Sequence, residues 1–348
     1  MASAAKKIHG LSLAGSLAAP IALGSVAGYA AYRVNWIPMI KAFLTGPGRT
    51  SRILLMFFVI FNWKTMPLAW TFKYRVFYSF IYHTLLRKSP KLGPDALFKP
   101  IISSSHAPLL EIDYNLHKSN STYFADLDIS RTHLISYLLR ESLAVLSRNT
   151  QNKIVLDPKT DQPIKGSIGI MLGAVECSFK REIPAYKNYE MWSRILSWDR
   201  KWLYIATHYV PKGTARPKSW LDPRFMKTAT RGAQDPAGGW EKKIYATAIS
   251  KYVIKLGRFT VHPAIVLGGA AGLLPERPGG WTTGEQHLGD LSVDLSDVDL
   301  NVPGKWDWRR VEAQRRKGME LAGHFHELDR LQEEFDGGDN GALGQFTP

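Results

Sequence analysis

A polar run followed by a long apolar segment occupies residues 113–148, which read DYNLHKSNSTYFADLDISRTHLISYLLRESLAVLSR. From Tyr123 to about Arg148 the apolar residues keep helical spacing, and in the second half they lie on nearly all sides. A helix that is apolar nearly all round must be enclosed by other elements. The segment therefore predicts a buried central helix of about seven turns.

Strand-like segments lie on both sides of this predicted helix. Residues 105–112 have some strand character, and the alternation of apolar side chains after the helix predicts four strands, at 167–181, 189–198, 202–210 and 244–256. Asp199-Arg200 reads as a tight hairpin turn between two of them. One long helix followed by four antiparallel strands that can wrap it predicts an α+β fold.

The polar run in front of the helix concentrates groups that can carry chemistry. If the run is extended, Asp113, Asn115 and His117 alternate onto one side. The first-turn backbone N–H groups behind Ser119–Ser121 are unpaired and carry the positive end of the helix dipole, as an oxyanion hole requires. Composition alone favours a structural interpretation instead: a turn at 113–115, a surface histidine, and a helix cap at Ser119 or Asn120.

The polar run also resembles a known signature. Asp113, His117, Asn120 and Tyr123 match the Asp-x-x-x-His-x-Asn-Asn-x-x-Tyr pattern of hotdog-fold thioesterases. The Asp-x-Asn-x-His part, completed by Asn115, is similar to the catalytic strand of plant acyl-carrier-protein thioesterases. In this chain Ser119 stands where the family has the first Asn of the pair.

Two later segments extend the resemblance. Residues 178–181 and 198–204 are similar to the Phe-Arg-Arg and Trp-Asp-x-Lys-x-Phe-Tyr patterns of a membrane-anchored branch, thioesterase superfamily member six and its fungal relatives. The resemblance covers about residues 98–257. It implies a hotdog fold, in which an antiparallel sheet wraps a long central helix.

The resemblance also implies a site and its partners. Asp113 would attack a thioester carbonyl or activate water, with Asn115 and His117 as catalytic partners and Ser119, Asn120 and Tyr123 as substrate-binding residues. The substrate would be an acyl or polyketide thioester of CoA or acyl carrier protein, handled by a homodimer without cofactor or metal. Basic residues such as Lys118, Lys180 and Arg181 are candidates for contacts with the carrier phosphates.

Charge and cysteine content exclude other classes. The single cysteine, Cys177, excludes an intrachain disulfide framework and a cysteine-rich metal site. The net charge of +15 belongs to residues 1–94, which hold twelve Lys or Arg and no acidic residue, so that the remainder is near neutral. Because this basic quarter is also strongly apolar, it predicts a membrane partner and no nucleic acid.

The predicted membrane anchor is residues 8–32, which contain no Lys, Arg, Asp or Glu and are long enough for one transmembrane helix. A signal or transit peptide is the competing interpretation. A second apolar run, 53–63, is too short to span and leads into a basic, aromatic segment to residue 82. That segment suits the lipid headgroup layer, and a helix packed on the globular domain explains it equally well.

These observations predict three regions: an N-terminal anchor at 1–94, a hotdog domain at 95–257 with a loop insertion at 211–243, and an extension at 258–348. The extension is predicted to hold an apolar, helix-like segment at 259–274, a helix at 306–335 and a disordered tail. The predicted function is that of a single-pass membrane thioesterase, on the endoplasmic reticulum with a cytosolic catalytic domain, or alternatively mitochondrial. A hotdog protein that binds acyl lipid or scaffolds a partner without catalysis is the alternative function.

Overall fold

The computed structural model describes residues 25, 28–29, 32–73, 92–214, 217, 219–222, 227–230, 239–269, 271–282 and 293–327. The chain divides into two compact units, residues 1–63 and 64–348. Most of the predicted membrane segment 8–32 lies outside the described residues, as do 74–91 and the predicted tail.

The described part of the first unit includes the helices α1 (Trp36–Thr45) and α2 (Arg49–Phe61). Arg52 Nη2 donates to the carbonyl oxygens of Ala42 and Gly46, which closes the C-terminal end of α1. Neither helix has a buried residue, although most of their side chains are apolar. Across the residues that the structure describes, no helix combines the length and hydropathy needed to cross a bilayer.

The second unit contains the sheet and the long helix. Its strands are β1 (Ile101–His106), β2 (Ile168–Phe179), β3 (Asn188–Trp198), β4 (Trp202–Pro211), β5 (Ser219–Asp222), β6 (Lys227–Thr230), β7 (Ala246–Leu256) and β8 (Phe259–Val261). Its described helices are α3 (Ala69–Thr71), α4 (Tyr123–Leu146), α5 (Asn149–Asn152), α6 (Pro263–Gly268) and α7 (Trp308–Gly323).

Six strands form one antiparallel sheet in the order β1-β3-β4-β7-β2, with β8 paired to β7. Strands β3 and β4 meet at the predicted turn, where the Asp199 amide donates to the Trp202 carbonyl. The inner face of the sheet packs on α4, so the predicted fold class, an antiparallel sheet around a long helix, is confirmed.

The side of helix α4 that faces the sheet is buried because its apolar residues meet the inner faces of three strands. Ala144 on another side is exposed, so the expectation that the helix is enclosed on nearly all sides is wrong. Leu134, Leu138 and Leu139 pack in one cluster with side chains of β3, β4 and β7, and Leu127 packs in a second cluster nearer the helix start. Each fully buried leucine stabilises the fold by roughly 1.5–3 kcal/mol. The helix is therefore fixed at both ends relative to the sheet.

Helix α7 packs on the outer face of β3 and β4. Leu196, Tyr204 and Ala206 on that face form a third apolar cluster with Met319 and Ala322 of α7. The C-terminal extension thus completes the core on the side opposite α4.

Several predicted boundaries differ from the structure. The strand expected at 105–112 lies earlier, as β1, because the chain turns into a 3-10 helix at Leu109–Glu111. The predicted loop 211–243 contains the β5–β6 hairpin, and the predicted apolar helix at 259–274 is divided into β8 and α6. The described helix of the extension ends at Gly323 and a 3-10 turn, and residues 328–335 lie outside the described part.

Candidate active site

The polar run 113–117 is a tight turn and not an extended strand. Ile112 and Lys118 form an antiparallel bridge, and inside it the Asp113 amide donates to the His117 carbonyl at 3.0 Å. Leu116 closes the turn in the left-handed region, with φ of 64°. The expectation that the polar side chains alternate along an extended strand is therefore wrong for this segment.

The turn nevertheless brings two of the predicted catalytic side chains together. His117 Nδ1 lies 3.7 Å from Asp113 Oδ1, and the two side chains are 19% and 23% exposed. Asp113 Oδ1 also accepts the backbone N–H of Asn115 at 2.9 Å, which holds the carboxylate toward its own turn. On the other side of the ring, His117 Nε2 lies 3.6 Å from Glu182 Oε1. A partly exposed carboxylate beside an imidazole can act as a nucleophile or a base.

Asn115 lies in the same turn as this pair. Its backbone contributes a hydrogen bond to Asp113, but the residue itself is exposed. Its predicted catalytic role stays a prediction, because no described hydrogen bond joins the Asn115 carboxamide to Asp113 or His117.

The predicted substrate-binding residues lie at the start of α4. The Ser119 amide donates to the Glu111 carbonyl at 2.7 Å. Among the described hydrogen bonds, the amides of Asn120 and Ser121 have no acceptor. These two N–H groups lie in the 3-10 turn Asn120–Thr122, directly before a helix of 24 residues. Amides at the positive end of a helix can stabilise an oxyanion.

Tyr123 is the most enclosed of the predicted residues. Its ring is 1% exposed and packs edge-on against Phe179, with ring centroids 5.0 Å apart, and against Tyr209 at 4.9 Å. Burial raises the pKa of the Tyr123 phenol above its ordinary value. This residue therefore shapes the wall behind the helix start as a neutral ring.

A buried group of charges next to the turn was missed by the sequence analysis. Lys118, expected at the carrier phosphates, is 1% exposed, and its ammonium lies 2.5 Å from Glu111 Oε2 and 2.9 Å from Asp126 Oδ2. Lys64 contacts the same two carboxylates at 2.8 Å each. The Tyr189 hydroxyl donates to Asp126 as well. The expectation for Lys118 is thus wrong, because a lysine sealed from solvent cannot reach a bound carrier.

The electrostatics of this group follow from its pairing. Burial by itself would raise the pKa of the Asp126 carboxyl, but the nearby ammonium groups of Lys64 and Lys118 outweigh it and hold that pKa below its ordinary value. Asp126 therefore stays ionised at neutral pH.

The other two residues expected to contact the carrier phosphates, Lys180 and Arg181, are exposed at the end of β2.

In the described residues no cluster of three or more His, Cys, Asp or Glu side chains is arranged to hold a metal ion. The groups that the turn and the start of α4 offer a substrate are the Asp113 carboxylate, the His117 imidazole and the backbone amides.

Comparison with known proteins identifies the family. The thioesterase-like superfamily profile matches residues 107–226, which include the turn, α4 and the strands from β2 to β5. Thioesterase poxG of Penicillium oxalicum is 34% identical over 280 residues, which cover 78% of this chain and 82% of that protein. Probable thioesterase atnL of Emericella nidulans is 31% identical over 321 residues, with 88% of this chain and 93% of that protein covered.

A third fungal protein, thioesterase lcsJ of Purpureocillium lilacinum, is 30% identical over 309 residues, which cover 81% of this chain and 92% of that protein. All three proteins carry thioesterase in their names, which is the enzyme class that the motifs predict. Since the similarity extends over more than four fifths of each relative, the chain belongs to the thioesterase-like superfamily, and the hotdog thioesterase family predicted from its motifs is confirmed.

Proposed function

We propose that this protein is a membrane-anchored acyl thioesterase that hydrolyses an acyl or polyketide thioester of CoA or of a carrier protein. The observation that carries the proposal is the Asp113–His117 pair, 3.7 Å apart in the turn that leads into α4, in a chain of a thioesterase family. The amides of Asn120 and Ser121, which have no acceptor among the described residues, follow this turn directly along the chain.

The proposed chemistry begins at Asp113. Its carboxylate either attacks the thioester carbonyl carbon or takes a proton from a water molecule that attacks it. The amides of Asn120 and Ser121 stabilise the oxyanion that develops on the carbonyl oxygen. Collapse of the tetrahedral intermediate breaks the carbon–sulfur bond and releases the thiol. If Asp113 is the nucleophile, collapse leaves a mixed anhydride with its carboxylate, and a water molecule then hydrolyses that anhydride to the carboxylic acid and free Asp113. On either route one water is consumed for each carboxylic acid formed. His117 orients the Asp113 carboxylate or the substrate carbonyl.

A thioester panel tests this activity. Purified full-length protein in detergent is assayed on acyl-CoA thioesters of increasing chain length, with free thiol as the readout. Asp113→Asn is expected to lower kcat by roughly 10²–10⁴-fold. Tyr114→Ala, at a 92% exposed position in the same turn, is the control and is expected to keep full activity. If the wild-type protein releases no thiol, or Asp113→Asn loses nothing, the enzyme proposal fails in favour of a non-catalytic acyl-lipid-binding or scaffold protein.

Membrane attachment is the second part of the proposal. It is supported by the acid-free, basic composition of residues 1–94 and by the exposed apolar side chains of α1 and α2, such as Ile37, Leu54 and Phe61. Residues 8–32 would form a single span, on the endoplasmic reticulum with the catalytic domain cytosolic, or in a mitochondrial membrane. Carbonate extraction tests the span, since release into the soluble fraction contradicts it, and protease protection of the catalytic domain tests its side.

A homodimer is the third part. Among the described strands, β2 lies at one edge of the sheet and pairs with β7 alone, and it exposes Met171 and Leu172. An exposed apolar edge strand is a template for pairing with another strand. We expect Met171→Arg to shift the sedimentation coefficient from dimer to monomer, whereas Leu109→Arg, at an equally exposed position outside β2, leaves it unchanged.

A further inference from the structure

Four charged side chains alternate in sign beside the candidate active site. Lys64 and Lys118 each contact both Glu111 and Asp126, so every carboxylate has two ammonium partners and every ammonium two carboxylates. All four side chains are 12% exposed or less. We call Lys64, Glu111, Lys118 and Asp126 the four-charge cluster; its net charge is zero.

The cluster joins parts of the chain that lie far apart in sequence. Lys64 belongs to a 3-10 turn at Trp63–Thr65, and Asp126 lies in the first turn of α4. Lys64 Nζ also donates to the His106 carbonyl at 3.0 Å and to the Tyr189 hydroxyl at 3.2 Å, which ties the ends of two neighbouring strands to the same point.

The remaining two members flank the turn that holds the candidate catalytic pair. Glu111 immediately precedes the bridge between Ile112 and Lys118, and Lys118 closes it. The Glu111 carbonyl accepts the Ser119 amide at 2.7 Å, and the Lys118 amide donates to Ile183 at 2.8 Å. Both stems of the turn therefore carry a charge that is bound, directly or through Lys64, to Asp126 of α4.

We infer that the four-charge cluster is a positioning device, with Lys118 and Lys64 as positioning residues that hold the Asp113–His117 turn in register with the first amides of α4. The inference rests on the proposed function for its effect on catalysis. It places Lys64, which precedes the sequence-predicted hotdog domain, within the structure that supports the active site.

The physical reason is that buried charges restrict the residues that carry them to the one arrangement in which every charge is paired. An ammonium sealed from water must keep its carboxylates, because any displacement of the turn leaves a charge without a partner in a medium of low polarity. A turn stem held only by backbone hydrogen bonds has no such restriction. Catalysis is sensitive to this restraint, since a misplacement of about 1 Å costs on the order of 10²-fold in rate.

Neutral double variants test the inference in the full-length protein. Glu111→Gln with Lys118→Met keeps the Lys64–Asp126 ion pair but removes the ion pairs between the turn and these two residues. Lys64→Met with Asp126→Asn keeps the Glu111–Lys118 ion pair within the turn and removes the same ion pairs from the other side. Lys99→Met with Asp95→Asn removes a surface pair, 63% and 59% exposed, and is the matched control.

Two readouts are measured on each variant whose melting temperature lies within a few degrees of the wild type. Hydrogen exchange at the Asp113 and Leu116 amides, which are bonded inside the turn, is expected to accelerate at least about tenfold, while exchange in α4 is unchanged. On acyl-CoA, kcat is expected to fall by on the order of 10²-fold with KM changed by less than about threefold. The control is expected to change neither quantity.

The outcomes separate the inference from the proposed function. Unchanged exchange in the turn of either double variant overturns the positioning role, as does accelerated exchange with wild-type kcat. Accelerated exchange in a protein whose wild-type form hydrolyses no thioester overturns the proposed function and confirms that the cluster holds the turn. Should one double variant fail to fold, the other removes the same ion pairs, Lys64–Glu111 and Lys118–Asp126, and gives the same test.

Discussion

Gly318 of α7 lies directly against the carbonyl oxygen of Leu196 in β3: a Cβ at position 318 would stand 2.2 Å from that oxygen. The contact is accompanied by two hydrogen bonds, from Arg315 Nη1 to the Trp198 carbonyl at 2.9 Å and from Ser197 Oγ to the Arg315 carbonyl at 2.7 Å. The helix therefore approaches the strand backbone closely, and its position depends on the absence of a side chain at one residue.

Gly318→Ala is expected to push α7 off the outer face of the sheet. The new methyl group meets backbone, which cannot rotate away, so the free energy of unfolding should fall by about 1–3 kcal/mol, as in an overpacked core. Urea unfolding followed by tryptophan fluorescence measures this change. Gly323→Ala in the same helix is the control, because its Cβ meets nothing within 4 Å. Equal stability of the two variants would contradict the close contact.

Glu312 is expected to be the electrostatic anchor of the same helix. Its fully buried carboxylate lies 2.8 Å from Arg315, 3.0 Å from Arg316 and 3.4 Å from Arg277. Glu312→Gln leaves buried guanidinium groups without an anion and should lower the free energy of unfolding by about 3–5 kcal/mol. Glu141→Gln breaks a pair whose carboxylate is 60% exposed and should cost less than about 1 kcal/mol. The helix is not held by this carboxylate if both variants melt alike.

His262 is expected to make stability depend on pH. It accepts the Ala264 amide at the start of α6, and burial lowers its pKa from 6.5 to about 4. Between these values the unfolded chain takes up a proton that the folded chain does not, so acidification favours unfolding. The contribution is complete above pH 6.5 and is lost as the pH falls to about 4, by about 3 kcal/mol at most.

The measurement for His262 is the free energy of unfolding between pH 7 and pH 4. His262→Asn keeps a capping acceptor but does not titrate. The slope of the free energy of unfolding against pH over this range should therefore decrease, by an amount equivalent to the uptake of up to one proton on unfolding. His324→Asn, at an exposed position after α7, should leave the slope unchanged. A slope that is the same in all three proteins would contradict the assignment to His262.

His117 has two carboxylates beside its ring, and only one is expected to matter for catalysis. His117→Ala removes the group that orients Asp113 and should lower kcat on acyl-CoA by at least about tenfold. Glu182→Gln removes the partner at Nε2, which is 74% exposed, and should change kcat by less than about twofold. A larger loss from Glu182→Gln than from His117→Ala would reverse these roles.

Local patterns predicted most of the elements around the site. The expected helix from Tyr123 to about Arg148 is α4, Tyr123–Leu146, and three of the four strands predicted after it begin within one residue of their observed positions. These elements have one or more buried faces, and the spacing of apolar residues records which face is buried. The hairpin at Asp199-Arg200 was equally predictable, because a tight turn is determined by the few residues that form it.

The active-site turn was only partly readable. The motif placed Asp113 and His117 near each other, but an extended run was expected where the chain closes a turn. Leu116 adopts the left-handed conformation there, which is uncommon outside glycine and has no signature in a leucine. Its conformation is imposed by the bridge between Ile112 and Lys118, whose partners are recognisable only once the fold has formed.

Periodicity, motif order and charge distribution were thus enough to predict the family, the long central helix and the basic N-terminal quarter. The four-charge cluster and the contact of Gly318 with Leu196 were decided by folding alone. Lys64 and Asp126 are 62 residues apart. Leu196 and Gly318 are separated by β4, the β5–β6 hairpin, β7, β8 and α6. Charge pairing and close backbone approach depend on distance in space, and neither repeats along the chain in a way that residue order could record.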